Sequence, residues 1–167
     1  MSATSNEATT PGSTELEVST EIAASPAQVW KLVSDLPRIA EWSPQVVRTL
    51  ARRPLRVGSR MVNLNHRGPL VWPTTAKVVE LEPHRRVAFR ITENWTVWSF
   101  TLEPVTPAGG GAAEATRVVH RRETPKGISP LSNTLVDRLL GGRPQFTEEL
   151  REGMGQTLRR LKAAAEA

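Results

Sequence analysis

Three histidines, His66, His84 and His120, are the only imidazoles in the 167-residue chain, and cysteine and tyrosine are absent. Without cysteine there are no disulfides, thiolate nucleophiles, iron–sulfur clusters or sulfur-based zinc sites. Without tyrosine no phenol can act as a general acid. Arg122 follows His120 by two residues, a spacing that puts both side chains on one face of a strand. An imidazole there could accept and return a proton near neutral pH, and a guanidinium could hold a carboxylate or phenolate through paired hydrogen bonds. These two are the candidate catalytic residues. The competing readings are a histidine bonded to a backbone carbonyl or water, and an arginine at a rim with its stem over apolar surface. His66 falls on an outer strand face and His84 in a turn, so neither is assigned chemistry. The inner strand faces carry no carboxylate pair. No phosphate-binding glycine loop, Ser/His/Asp arrangement or metal-ligand cluster is recognisable, and neither a metal nor a cofactor is expected.

The elements that must position these groups are strands. From Gln45 to Thr124 apolar and polar residues alternate in short runs separated by turn signals, the pattern of an antiparallel meander. The runs are 46–52, 60–66, 74–81, 87–91, 95–103 and 116–123, and the three consecutive glycines within Pro107–Ala113 mark a flexible hairpin loop. Charged side chains identify the outer face of each run. Arg60 out puts Met61, Asn63 and Asn65 in; Lys77 out puts Trp72, Thr74, Ala76 and Val78 in. By the same parity Val87, Phe89 and Ile91, then Trp98, Phe100 and Leu102, then Thr116, Val118, His120 and Arg122 point inward. This lining is apolar and aromatic with a few polar groups, as in small-molecule pockets. Asn63 and Asn65 could fix a ligand oxygen or bond to neighbouring loops, since a buried amide needs partners of some kind. Trp42, Trp72 and Trp98 could stack on a ligand or fill the core.

Before the meander, Leu16, Val18 and Ile22 share one face of a strand and Glu15, Glu17 and Glu21 the other. Ser25-Pro26 then reads as a helix N-cap followed by a first-turn proline, with Val29, Trp30 and Val33 as its apolar stripe. Pro37–Trp42 has room for one further turn before Pro44. After the meander, Ser129-Pro130 opens a helix striped by Leu131, Leu135 and Leu139 and ended by Gly141-Gly142. A longer helix starts near Pro144 with Phe146, Leu150, Met154, Leu158 and Leu161 on one face. Leu150 and Met154 would cover the inner face of the sheet. Gly153 borders that stripe, where an interior glycine costs roughly 1 kcal/mol against alanine; it could admit close packing or leave ligand volume. Residues 1–14 hold seven Ser or Thr and almost nothing apolar, so a disordered tail is expected before one domain spanning 15–167.

Charge adds a further possibility. The net charge of +5 comes from 18 arginines and 4 lysines against 17 acids. Between Trp42 and Val79 there is no Asp or Glu, while Arg48, Arg52, Arg53, Arg56, Arg60, Arg67 and Lys77 add seven positive charges. The alternatives are a field that attracts an anionic surface and a solvated face with no partner. No nucleic-acid-binding motif is present and no nucleic-acid partner is expected. No run of about 18 apolar residues occurs and no secretory leader is evident, so stable membrane insertion is not expected and a cytoplasmic location is the simplest reading. Nothing in the sequence assigns an oligomeric state.

Strand, two short helices, a six-strand meander and a long C-terminal helix is the element order of the helix-grip fold, an α+β architecture in which a strongly curved seven-stranded antiparallel sheet wraps around the final helix. From about Leu16 to Lys162 the chain resembles the START-like (SRPBCC) superfamily, in its polyketide cyclase/dehydrase-like or lipid-transport-like branch. The resemblance is carried by Ser25-Pro26-Ala27-Gln28-Val29-Trp30, Glu41-Trp42-Ser43-Pro44, Val57-Gly58-Ser59-Arg60 and Asn65-His66-Arg67-Gly68. Trp72, Glu82-Pro83, Trp98, Thr116-Arg117-Val118 and Gly153-Met154-Gly155-Gln156-Thr157-Leu158 complete it. It implies a cavity between sheet and helix that binds hydrophobic small molecules such as lipids or polyketides. The expected wall is Trp42, Met61, Asn63, Asn65, Trp72, Thr74, Ala76, Phe89, Trp98, Phe100, Val118, Leu150 and Met154. The resemblance supports a carrier or sensor of a hydrophobic small molecule. Its alternative is a metal-free cyclase, aromatase or dehydratase working with His120 and Arg122, against which the tyrosine common in such sites is missing. An anionic-surface binder using the arginine-rich segment is the third reading.

Overall fold

A computed structural model describes residues 15–107, 109–111 and 113–167, so the expected tail, 1–14, lies outside the described residues. Seven strands form one antiparallel sheet: β1 (Leu16–Ile22), β2 (Val46–Ala51), β3 (Arg60–Arg67), β4 (Leu70–Glu82), β5 (Arg86–Ile91), β6 (Val97–Val105) and β7 (Ala115–Glu123). Their spatial order is β1-β7-β6-β5-β4-β3-β2. The meander runs consecutively from β2 to β7, and β1 closes beside β7 with His120 opposite Val18 and Arg122 opposite Leu16. Register shifts between Val46 and Arg48 and between Val78 and Glu80 each insert an extra residue, which bends a strand and increases its twist. The result is the helix-grip fold.

Two expected strand starts move by more than one residue. The fourth strand begins at Leu70, four residues before the expected Thr74, because Leu70–Pro73 pair with Arg67–Leu64 across a tight hairpin. Pro73 is tolerated there since the pairing of β4 with β5 starts only at Ala76, which leaves the Pro73 stretch paired on one side. The sixth strand begins at Val97, since Trp95 takes a left-handed backbone with φ 66° and belongs to the turn after β5.

Ser25 caps α1 (Pro26–Val33) by accepting from the Gln28 N–H, while the Gln28 side chain accepts from the Ser25 N–H, a reciprocal arrangement that satisfies two otherwise orphaned donors. A 3-10 turn at Leu36–Arg38 leads into α2 (Ile39–Trp42). Helices α3 (Pro130–Leu139) and α4 (Arg143–Ala165) complete the chain. The second half of α4 packs into the main core: Leu158 and Leu161 join Val29, Val33, Leu36, Val78, Val87 and Val118. Its first half behaves differently. Leu150 and Met154 make a small separate cluster with Leu16, and between that cluster and the sheet the interior is not filled.

Candidate functional site

The unfilled region is a cavity of about 330 Å³ between the first half of α4 and the concave faces of β3 to β7. Of the residues expected on its wall, Asn63, Asn65, Trp72, Thr74, Phe89, Trp98, Leu150 and Met154 line it, together with His120 and Arg122. Strand alternation accounts for this. In β3 the odd-numbered Met61, Asn63 and Asn65 are buried while Arg60, Val62 and Leu64 are exposed.

Five expected wall residues sit elsewhere. Trp42, Met61, Ala76, Phe100 and Val118 face the same concave surface but are packed in the main core. The end of the groove beneath α1, α2 and the second half of α4 is solid. Trp42 is also capped by Arg38, whose guanidinium lies 5.2 Å from the ring centroid. Phe100 is covered by the imidazole of His120, stacked parallel at 4.1 Å.

His120 is 3% exposed, held between Phe100 and Trp98, whose ring centroid is 5.8 Å away. Its Nδ1 lies 2.9 Å from the backbone oxygen of Ser99. A carbonyl only accepts, so Nδ1 carries the proton and, in the neutral ring, Nε2 keeps the lone pair. Burial lowers the imidazole pKa to about 4, outweighing the bond to Ser99, which acts in the opposite direction, and the ring is neutral at physiological pH. Arg122 is 5% exposed and its guanidinium stands 5.9 Å from the Trp98 ring centroid. Burial pulls its pKa down to about 10, which still leaves it cationic near neutrality. It is therefore a buried cation in the wall of the cavity and not a rim group.

The opposite wall is neutral and polar. The Thr49 hydroxyl donates to Asn63 Oδ1 at 2.8 Å. Asn65 Nδ2 donates to the Trp72 carbonyl at 3.3 Å and to Thr74 Oγ1 at 3.0 Å. The contact with a carbonyl fixes the Asn65 amide, since only its nitrogen can donate there. Each asparagine is tied to a neighbouring strand, not to a loop, and each faces the cavity.

Several lining residues escaped the sequence reading. His66, expected on an outer face, is half-buried and its Nε2 bonds to the Pro44 carbonyl at 2.9 Å. Arg67 lies in the hairpin tip and forms a bidentate pair with Glu149 of α4, at 2.6 and 2.7 Å. That pairing holds the Glu149 carboxyl below the usual carboxylate range. Ser43, Pro44, Gln45, Asn94, Phe146, Gly153 and Thr157 also line the space. Strand parity does not reach these positions because they lie in turns and on helices. A Cβ built on Gly153 would stand 3.4 Å from Pro44 Cγ, at the short end of ordinary contact, so packing against the α2–β2 connection does not by itself require the glycine, which also borders the cavity. Among the described residues no group of His, Cys, Asp or Glu side chains could hold a metal ion, and no helix is long and apolar enough to cross a membrane.

A family model described as polyketide cyclase/dehydrase and lipid transport matches residues 13–166. No curated protein matches the chain by sequence. Among solved structures, the Zhui aromatase/cyclase from Streptomyces sp. R1128 is similar at 15% identity and TM-score 0.66, covering 91% of this chain and 93% of that one. The protein TTHA0849 from Thermus thermophilus is similar at 16% identity and TM-score 0.64, covering 90% and 96%. The Polyketide_cyc-like protein Cgl2372 from Corynebacterium glutamicum is similar at 24% identity and TM-score 0.54, covering 91% and 88%. At these identities the likeness is one of fold.

Proposed function

The chain belongs to the polyketide cyclase/dehydrase and lipid-transport family, and from that premise we propose that it carries or senses a small hydrophobic acid bound in the cavity beneath α4. The observation that supports this reading most is a buried cation, Arg122, in an otherwise largely apolar wall. A guanidinium carries five N–H donors in a fixed fork, more than one protein partner can use, and so it can hold a ligand carboxylate or phenolate as well. His120 beside it is neutral and adds no competing charge. Trp98 and Phe89 offer the apolar body of such a ligand flat contact area. The volume lies at the lower end for small-molecule sites, suited to a compact aromatic or short acyl ligand and too small for a two-chain lipid.

A second reading has its own support. The neutral His120, with its lone pair on Nε2, is chemically able to act as a base toward an acidic carbon or phenol. In an enzyme of the cyclase type the cavity would fold a reactive chain against this nitrogen and use shape for orientation.

The test is titration with a naphthalene-type fluorescent probe in neutral and carboxylate forms, together with native mass spectrometry of protein from its source cells. The carboxylate form is expected to bind more tightly than the neutral one. Trp98→Ala should weaken both, and Arg122→Gln only the carboxylate. Probe binding unchanged in Trp98→Ala would move the site elsewhere. Turnover of polyketide-like compounds by the wild type, lost in His120→Gln with binding intact, would replace the carrier by the enzyme.

A further inference from the structure

The convex side of the sheet, opposite the cavity, has an arrangement that folding alone does not explain. In the register of β3, β4 and β5, Arg60 stands opposite Lys77 and Lys77 opposite Arg90, three cations in a row across neighbouring strands. All three are exposed. Like charges directly opposite one another destabilise a sheet, and no carboxylate lies within ion-pair distance of Arg48, Arg60, Lys77 or Arg90 among the described residues. Glu93, which reaches β4, is engaged by the Thr75 N–H and hydroxyl. Elsewhere on the convex side arginines are neutralised: Arg86 pairs with Glu80 and Glu123, and Arg121 with Glu17.

Beside this row of cations lies exposed aliphatic surface. Val62 stands opposite Leu50 on one side and Thr75 on the other, and Leu64 opposite Arg48 and Pro73. Leu50 is 54% exposed, Val62 46% and Leu64 38%. Single exposed aliphatics are ordinary, but a contiguous set bordered by uncompensated cations is the composition of a surface that meets lipid headgroups and the acyl region just beneath them. Nucleic acid is a poorer fit, because stacking platforms for bases require aromatic side chains and these outward positions carry none.

We propose that the convex face of β2 to β5 is a docking surface for an anionic lipid bilayer, with Arg60, Lys77, Arg90 and Arg48 meeting the headgroups and Leu50, Val62 and Leu64 dipping between them. The same strand serves both sides of the sheet. Even-numbered residues of β3 would meet the bilayer, while Asn63 and Asn65 line the cavity. Docking through this face is peripheral and reversible, as expected where no apolar segment is inserted.

The experiment is co-sedimentation with phosphatidylcholine vesicles, with and without phosphatidylserine, at low and high salt, using the full chain. Binding is expected only with phosphatidylserine and is expected to weaken as salt rises. Each cation near an anionic bilayer contributes about a fivefold factor in partitioning, so Arg60→Gln/Lys77→Gln should lose about 25-fold. The same double variant should raise the folded-to-unfolded ratio at least about twofold, because it removes the cross-strand repulsion. Weaker binding by a more stable protein is not what a structural role for these residues would give. Leu50→Ser/Val62→Ser should bind several-fold more weakly at unchanged salt dependence, and Arg159→Gln, on the exposed side of α4, should bind like wild type. No binding to phosphatidylserine vesicles, equal binding to pure phosphatidylcholine, or wild-type binding in either double variant would overturn the proposal. So would tighter binding to a DNA duplex than to phosphatidylserine vesicles. A dimer abolished by Leu50→Ser/Val62→Ser, without vesicle binding, would assign the face to a second copy of the chain and overturn it as well.

Discussion

His120 gives the structure its clearest pH signature. Burial among Trp98, Phe100 and the sheet holds its pKa at about 4, whereas in the unfolded chain an imidazole titrates near 6.5. Between these values the unfolded chain binds a proton that the folded chain refuses, so stability rises with pH across this window. The contribution is fully present above about pH 6.5 and is lost as pH falls to about 4. Its full size is roughly 3 kcal/mol, and roughly 2 kcal/mol of it should disappear between about pH 7 and pH 5. His120→Gln removes the titration. The substitution also loses the parallel stack on Phe100, which lowers stability at every pH, so the informative quantity is the change with pH and not the absolute value. Denaturant unfolding of both proteins at several pH values measures it. The carboxyls whose pKa values are lowered by ion pairs or hydrogen bonds, Glu41, Asp137, Glu149 and Glu166, titrate in both proteins and cancel in the comparison. The wild type should lose about 2 kcal/mol more than the variant over that interval. Equal losses would mean that His120 is hydrated or charge-compensated, and would refute the neutral, lone-pair-bearing ring on which its proposed role as a base depends.

Gly153→Ala should stabilise the protein by up to about 1 kcal/mol, since it replaces a glycine inside a helix and the new methyl meets Pro44 at ordinary contact distance; thermal unfolding reads this. The same methyl narrows the cavity wall, so the bulkiest probes that fit the wild type should bind more weakly, and a destabilised variant would show that Pro44 cannot yield. Glu149→Gln breaks the bidentate pair that ties the β3–β4 hairpin to α4, and should speed probe entry and release together in stopped-flow measurements while the equilibrium constant moves less. Unchanged rates would place the ligand's route away from Arg67.

The parts of this architecture that were legible in the sequence are those governed by short-range periodicity. Charged residues at Arg60, Lys77, Arg90 and Arg117 mark the outer face of four strands, and from them the inward positions of Asn63, Asn65, Phe89, His120 and Arg122 follow by parity alone. Parity says which way a side chain points and not what it meets there. Met61, Ala76, Phe100 and Val118 point correctly toward the concave side, yet α1, α2, with its Trp42, and the second half of α4 fill that end of the groove. Where the core stops and the cavity begins depends on how far along the sheet the helices reach, which is a matter of tertiary packing. The rim was harder still. Arg67 and Glu149 are 82 residues apart, and neither has a local pattern that announces the other.

A protein that needed only a core at this site would be expected to fill it with aliphatic side chains, since burying a cation and a polar ring lowers stability unless something compensates. Here the sheet places Arg122, His120, Asn63 and Asn65 on facing walls, buried to within 8% exposure or less, and a glycine, Gly153, sits inside the continuous helix above them. Three of these choices run against local stability: a desolvated guanidinium, an imidazole that becomes unfavourable as soon as the pH falls below about 6.5 and a glycine in mid-helix. Local rules broken together around one space are the usual mark of a functional site. The convex face repeats the logic with the row Arg60, Lys77 and Arg90, whose mutual repulsion an anionic partner would relieve. The two sides differ in what they could bind. The enclosed side, with a guanidinium set among aromatic walls, suits a single small anion with an apolar body. The open side, with spread charge and aliphatic tips, suits an extended anionic surface. In the carrier proposed above, cargo and loading surface would need separate contacts, and β3 would supply side chains to each from alternate positions of a single strand.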